Sequence, residues 1–369
     1  MALNCGIVGL PNVGKSTIFS ALSSAKAEAA NYPFCTIEPN KGIVSVPDAR
    51  LDRLVEIFKP ERRIPAVVEF VDIAGLVAGA SKGEGLGNQF LAHIRETGII
   101  AHVVRCFDDP DIIHVANRVD PINDIEVIET ELALADLDTV DKRLDKVQRS
   151  VRVLGGEQKR AAEIELSALA KVREALEAGK AARVVKLAEE EEAESLKWFL
   201  LTKKPQILVC NTDEDGMRKG NAHIAAVQKR AADEGMEAVV ICGKFEAELA
   251  ELETQEEKLD FLAELGLKES GLSALIHAAY RLLGLRTFFT SGSDECRAWT
   301  IHAGDKAPQA AGVIHTDFER GFIKAEVYSY ADINSLGSEA ALKSAGKIRT
   351  EGKEYVVQDG DVMFFKFNV

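Results

Sequence analysis

Two hydrophobic periods alternate along this chain, and the points where one gives way to the other mark its organisation. Leu3 to Leu10 is a short, mostly apolar run, the continuous pattern of a strand buried on both faces of a parallel sheet. Comparable runs recur at Val67–Asp72, Pro205–Cys210 and Ala238–Gly243, and a helix is predicted from about Lys15 to Ala25. Between Ile125 and Glu194 the period lengthens. Leu137, Val140, Leu144, Val147, Val151 and Leu154 are spaced alternately by three and four residues, a heptad seam. Gly155-Gly156 ends it, and a second helical segment carries Leu166, Leu169, Val172 and Leu176, so an antiparallel hairpin is expected. A further helix is predicted over Leu272–Leu283. From about Leu285 short β-type runs follow at Thr287–Thr290, Arg297–Ile301, Tyr355–Val357 and Val362–Phe367, with a turn at Gln358–Asp361 and a helix around Ile333–Ala345. The pattern predicts an α/β domain over 1–129 and 200–284, a coiled-coil helical hairpin inserted at 130–199, and a β-grasp domain over 285–369.

Composition excludes several classes. Hydrophobic residues are 46% and charged residues 28% of 369, which supports a buried core and argues against disorder. No apolar run approaches the ~18 residues that cross a bilayer. The N-terminus has neither a basic region nor a small-residue cleavage site, so no secretory leader is expected. The six cysteines (Cys5, Cys35, Cys106, Cys210, Cys242, Cys296) include no CxxC pair, which predicts a reduced, cytoplasmic protein rather than a zinc ribbon or a disulfide framework. With 45 basic and 59 acidic residues the net charge is −14, so any nucleic-acid contact needs a local basic patch. No DNA binding is indicated.

The chemistry begins where the first strand ends. Gly9-Leu10-Pro11-Asn12-Val13-Gly14-Lys15-Ser16 has the GxxxxGKS spacing of a P-loop. Its glycines let successive backbone N–H groups face phosphate, and the helix that follows aims its positive end at the same anion. Lys15 is the candidate β/γ-phosphate partner and Ser16 a Mg²⁺ ligand. Asn12, Val13, Gly14 and Thr17 complete the cradle. The strand Val67–Asp72 ends in DxxG: Asp72 can hold Mg²⁺ through water, and the Gly75 N–H can sense a γ-phosphate. Glycine-rich sequence follows at Gly79, Gly83, Gly85 and Gly87, as a nucleotide switch requires. Thr36, between the two motifs, is the second hydroxyl candidate for Mg²⁺. Asn211-Thr212-Asp213-Glu214 follows the strand at 205–210 as a base loop, and the strand ending at Gly243 stands where a last base-binding loop belongs.

In this order the chain resembles the Obg-like ATPase (YchF) family of P-loop NTPases. The markers are GLPNVGKS at Gly9–Ser16, NYPFCTIEP at Asn31–Pro39 and DIAGLVAGASKGEGLG at Asp72–Gly87, continued by Asn88–Arg95, and the resemblance covers essentially the whole chain. It implies an ATP-preferring, ribosome-associated hydrolase built of a G domain, an inserted helical hairpin and a C-terminal TGS domain. The base loop agrees on physical grounds. Guanine recognition uses NKxD, whose Asp meets two guanine N–H donors. Thr212 replaces the Lys and Glu214 the Asp, so both the base-covering stem and the two-point geometry are lost. The resemblance places Asn211 and Thr212 at the adenine. Leu76 stands where a water-positioning Gln would be, which predicts slow intrinsic turnover. In related enzymes lacking that Gln, an Asn at the position of Asn12 helps hold K⁺, which makes K⁺ a second cofactor candidate beside Mg²⁺. His93 is a candidate to act on water, and Cys35, beside Thr36, a candidate for oxidation.

The predicted hairpin tip is basic: seven positive residues stand against three negative between Asp141 and Arg160. A patch of this kind on a projecting arm suits rRNA phosphate. The acidic run Glu189–Glu192 is expected to stay in solvent at the arm's returning end. The C-terminal part, with ten positive and twelve negative residues from Arg286 on, has no catalytic cluster and reads as a TGS-like recognition module. The expected protein is thus a cytoplasmic, monomeric, Mg²⁺-dependent ATPase switch. Its expected partner is the ribosome or its large subunit, met through the hairpin tip, the C-terminal module or both. Two alternatives stay open: a GTPase with a degenerate base loop, and a nucleotide-gated stress or redox scaffold with incidental hydrolysis.

Overall fold

The computed structural model describes residues 4–24, 40–73, 86–110, 118–252 and 254–368. Of these, residues up to Ser24, Asn40–Gly42 and Phe70–Leu275 form one compact unit, and Ile43–Glu69 with Ile276 onward form a second. No helix among the described residues is long and apolar enough to cross a membrane.

Strands are numbered in chain order. A six-stranded sheet contains β1 (Asn4–Val8), β2 (Lys41–Ser45), β4 (Val67–Asp72), β5 (Ile99–Arg105), β6 (Gln206–Asn211) and β7 (Glu237–Ile241), in the order β2-β4-β1-β5-β6-β7. β1, β5, β6 and β7 are parallel, with Cys5 opposite Ile99, Ile100 opposite Gln206, and Ile207 opposite Glu237. Every residue of β5 and β6 is buried, which is why the run at Pro205–Cys210 reads without alternation. Parallel strands send their carboxyl ends to one edge, and ligand sites of α/β sheets form there.

The long-period segment forms two helices, Pro121–Val151 and Gly156–Glu177. They run antiparallel: Arg173 Nε donates to Asp141 Oδ1 at 2.7 Å, and Arg143 pairs with Glu165. The seam residues Val140 and Val147 are buried with Leu169, Val172 and Leu176, and Leu137, Leu144, Val151 and Leu154 pack against that cluster. The first helix starts at Pro121, capped by Asp120, whose side chain accepts from the Asn123 N–H. Its first turns lie in the sheet's own core, where Ile125 joins Val104, Leu208 and Val227.

The expectation that Glu189–Glu192 stays in solvent holds for Glu189 and Glu190, which are exposed, and fails at Glu191, which is buried. The acidic run is the start of a helix, Glu189–Ser195, that docks on Gly156–Glu177. Glu191 is buried and accepts from Lys171 Nζ and Ser167 Oγ, each at 2.7 Å, and from the Ala188 N–H at 2.9 Å. The Lys171 bond foremost holds its carboxyl at about 2, well below the ordinary 4.5. Glu190 pairs with Arg160 at 3.3 Å and Glu192 with Lys203 at 2.7 Å. Three of the four carboxylates are held by cations on two elements, the helix Gly156–Glu177 and the turn Leu201–Lys203.

In the second unit, β8 (Leu285–Ser291), β9 (Glu295–His302), β10 (Phe322–Ser329), β11 (Arg349–Glu351) and β12 (Asp361–Phe367) combine with β3 (Arg62–Ile64) in the order β11-β10-β12-β8-β9-β3. β8 is parallel to β12 and antiparallel to β9; β3 is parallel to β9, with Arg63 opposite Cys296. Phe288, Ile301, Ala325, Val327, Met363 and Phe365 form the core on one face. Several features differ from the sequence reading. The sequence pattern announces no strand at β10, where a register shift between Phe322 and Lys324 breaks the alternation. Tyr355–Val357 is no strand; Val356 makes a single bridge with Lys306. The helix expected around 333–345 is two short ones, Tyr330–Leu336 and Glu339–Ser344, interrupted at Gly337.

Candidate nucleotide-binding site

The P-loop leaves β1 and enters the helix Lys15–Ser24. Two glycines are required by contact as well as by conformation. A Cβ at Gly9, whose φ is 157°, would lie 2.5 Å from the Val103 carbonyl oxygen; one at Gly14, with φ 95°, would lie 2.0 Å from Asn211 Nδ2. Lys15 is 9% exposed and its Nζ donates to the Leu10 carbonyl at 2.9 Å. Burial lowers its pKa, and Asp72 opposes that shift. Burial likewise raises the pKa of Asp72, against the pull of Lys15.

Asn211, at the end of β6, ties three loops together. Its Nδ2 donates to the Val13 carbonyl at 2.9 Å, and its Oδ1 accepts from the Gly243 N–H at 3.2 Å. Thr212 is buried, with its hydroxyl on the Cys106 carbonyl at 3.2 Å and its N–H on the Ile241 carbonyl at 2.8 Å. Asp213 caps the short helix Glu214–Lys219, accepting from the Gly216 N–H at 2.7 Å. Glu214, the first residue of that helix, lies 3.7 Å from Lys244 Nζ.

Between the P-loop and the base loop lies a cavity of about 790 Å³. Asn12, Gly14, Lys15, Ser16 and Thr17 line one end, and Asn211, Thr212 and Glu214 line the other. Eight of the nine expected binding residues therefore meet around one space. The ninth, Val13, is fully buried and contributes its carbonyl to Asn211. Phe107, Asp108 and Asp109 also line the cavity, as do Cys242, Gly243 and Lys244. The first group carries a single sequence signal, its place directly after an apolar strand. His93 is exposed on the helix Leu86–Glu96. Thr36 and Gly75, with Cys35 and Leu76, lie outside the described residues.

The family model of the 50S ribosome-binding GTPases matches residues 4–152, and the YchF-GTPase_C model matches residues 285–368. The chain is 54% identical to the ribosome-binding ATPase YchF of Bacillus subtilis over 371 residues, covering all of both chains. It is 46% identical to Obg-like ATPase 1 of Caenorhabditis elegans, covering 99% of this chain and 92% of that one. The solved structure of the Schizosaccharomyces pombe YchF GTPase superposes with a TM-score of 0.88 at 41% identity, over 99% of this chain and 97% of that one. The chain belongs to the YchF family of Obg-like ATPases.

As in P-loop proteins generally, a YchF-family site would be completed by Mg²⁺, and the residues present fit it. Asp72 Oδ1 is buried without a hydrogen-bond partner among the described residues. An orphaned carboxylate oxygen beside the P-loop lysine is suited to a water of the Mg²⁺ shell, and the exposed Ser16 hydroxyl to direct ligation. No cluster of three acidic, His or Cys side chains that could hold a metal occurs among the described residues.

Proposed function

We propose that this protein is a Mg²⁺-dependent, ATP-preferring hydrolase that works as a switch on the ribosome, as a monomer in the cytoplasm. The observation that carries the nucleotide preference is the base end of the cavity. Thr212 is short, buried and engaged with the Cys106 carbonyl, so no stem covers the base. Glu214 starts a helix beside Lys244 and lacks the reach geometry of an Asp. Neither residue supplies what guanine needs, and a site lacking a substrate's hydrogen-bond partners discriminates strongly against it.

In this reading Lys15 neutralises the β/γ-phosphates and the backbone of Asn12–Thr17 cradles them. Ser16, Thr36 and Asp72 would hold Mg²⁺, which would supply positive charge to offset the negative charge developing on the phosphates. The Gly75 N–H senses the γ-phosphate, and Asn12 is the K⁺ candidate. Ribosome binding is supported by the names of the relatives and by the model matching residues 4–152. The antiparallel helices serve as the arm, within boundaries of 130–199. The C-terminal unit serves as a TGS-like β-grasp module, supported by β8 and β12, its first and last strands from Leu285 on, lying adjacent and parallel. GTP preference is the competing reading, favoured by the descriptions of that family model and of the fission-yeast structure as GTPases.

Calorimetric titration with ATP, GTP and their diphosphates, with and without Mg²⁺, tests the proposal. ATP should bind tighter than GTP and require Mg²⁺ for full affinity. Equal or tighter GTP binding would overturn the adenine reading.

A further inference from the structure

Arg105 ends β5, and at 1% exposed it heads the fully buried side chains by size. A guanidinium removed from water needs its N–H donors met. Arg105 Nε donates to the Phe107 carbonyl at 3.1 Å and Nη2 to the Asp109 carbonyl at 3.0 Å. The same guanidinium stands 4.7 Å from the centroid of the Phe107 ring, within cation–π range. One buried side chain thus grips the loop on both sides of Asp108 and supports the ring that precedes it. Phe107, Asp108 and Asp109 line the nucleotide cavity, whereas Arg105 does not. In the sheet Arg105 is directly opposite Asn211, the residue that joins the P-loop to the base loop.

We propose that Arg105 is a positioning residue that fixes the Phe107–Asp109 wall of the cavity and so sets affinity for the base end of the nucleotide without touching it. The inference rests on the reading of this cavity as the nucleotide site. The chemistry asks for Arg specifically. A planar fork reaches two carbonyls at fixed separation while presenting a flat face to an aromatic ring, and an ammonium point charge does neither. Because the wall is remote from Lys15 and Ser16 along the chain, its loss should register at the base and spare the phosphate end.

The test compares Arg105→Lys with the unaltered full-length protein, titrated with ATP and, separately, with inorganic tripolyphosphate, which carries the phosphates and no base. ATP affinity should fall about tenfold, within the range of one base–aromatic contact, while tripolyphosphate affinity holds within about twofold. Adding Phe107→Ala to Arg105→Lys should cost little more, because the two changes remove one wall. Equal weakening of both ligands, no weakening of either, or additive effects of the two substitutions would overturn the proposal. If circular dichroism shows that Arg105→Lys does not fold, Phe107→Ala alone decides: unchanged ATP affinity sinks the proposal, and selective loss of ATP affinity upholds it. If the unaltered protein prefers GTP, the adenine reading fails, and the same comparison is run with GTP in place of ATP.

Discussion

Thr212 shows how a residue can be read correctly for its chemistry and incompletely for its setting. The absence of a Lys stem is visible in sequence. Its burial and its bond to the Cys106 carbonyl are not, because the partner lies 106 residues away, just past the end of β5. The consequence is testable. Thr212→Lys with Glu214→Asp should shift preference from ATP toward GTP, read by competitive titration of the two nucleotides. Thr212→Lys alone should also lower Tm by several degrees, since it removes one of the two side-chain donors to a buried carbonyl and must turn a long cation out of a filled site, at a cost of about 1–3 kcal/mol. Unchanged Tm would mean that the base loop moves freely. Val13 makes a related point: a residue inside a phosphate-binding motif need not face the phosphate, and here it holds the base loop through its carbonyl.

At the scale of the element, the helical pair and the acidic helix docked on it carry two predictions. Glu191 is held at about 2 by Lys171 and its other donors. A carboxyl depressed below its ordinary 4.5 stabilises the folded state fully above that value and loses its contribution as pH falls toward 2. Glu191→Gln should therefore lower Tm at pH 7 and flatten its decline between about pH 4.5 and 2. A Gln variant with the same acid limb as the parent would show that Lys171 and Glu191 contribute nothing. The second prediction concerns the basic tip. Lys142, Arg143, Lys159 and Arg160 are paired with Asp138, Glu165, Glu163 and Glu190. Lys146, Arg149 and Arg152 have no ion-pair partner among the described residues, and Val153 beside them is 84% exposed. Charges already paired have less to offer a phosphate. Replacing Lys146, Arg149 and Arg152 with Ser should reduce ribosome co-sedimentation and its salt slope more than replacing Lys159 and Arg160 does. The opposite ranking would place the contact elsewhere on the molecule.

At the scale of the whole molecule, the break in pattern at Leu285 marks the first strand of the C-terminal sheet but not the limits of the unit that contains it. β3 and the helix Ala49–Phe58 belong to that unit as well: Ile64 is buried where β3 pairs with β9, and Arg50 Nη1 meets Asp359 Oδ2 at 2.7 Å. A chain stopped after Gly284 should therefore not behave as a clean deletion. The helix Ala49–Phe58 loses the strands it packs on and β3 loses β9, and the product should bind more of a hydrophobic dye and melt several degrees lower than the full chain. A truncated protein with unaltered Tm would show that this segment folds without β9. What the sequence by itself determined here is whatever adjacent residues can specify: the P-loop spacing, the heptad seam, the apolar parallel strands and the altered base loop. Each of these depends on neighbours along the chain or on a period of the backbone. Tertiary structure alone decided that Phe107 walls the cavity, that Glu191 is buried, that Asn211 joins three loops and that β3 completes a distant sheet. Those outcomes depend on which side chains meet across tens to hundreds of residues, and no local period encodes such a meeting.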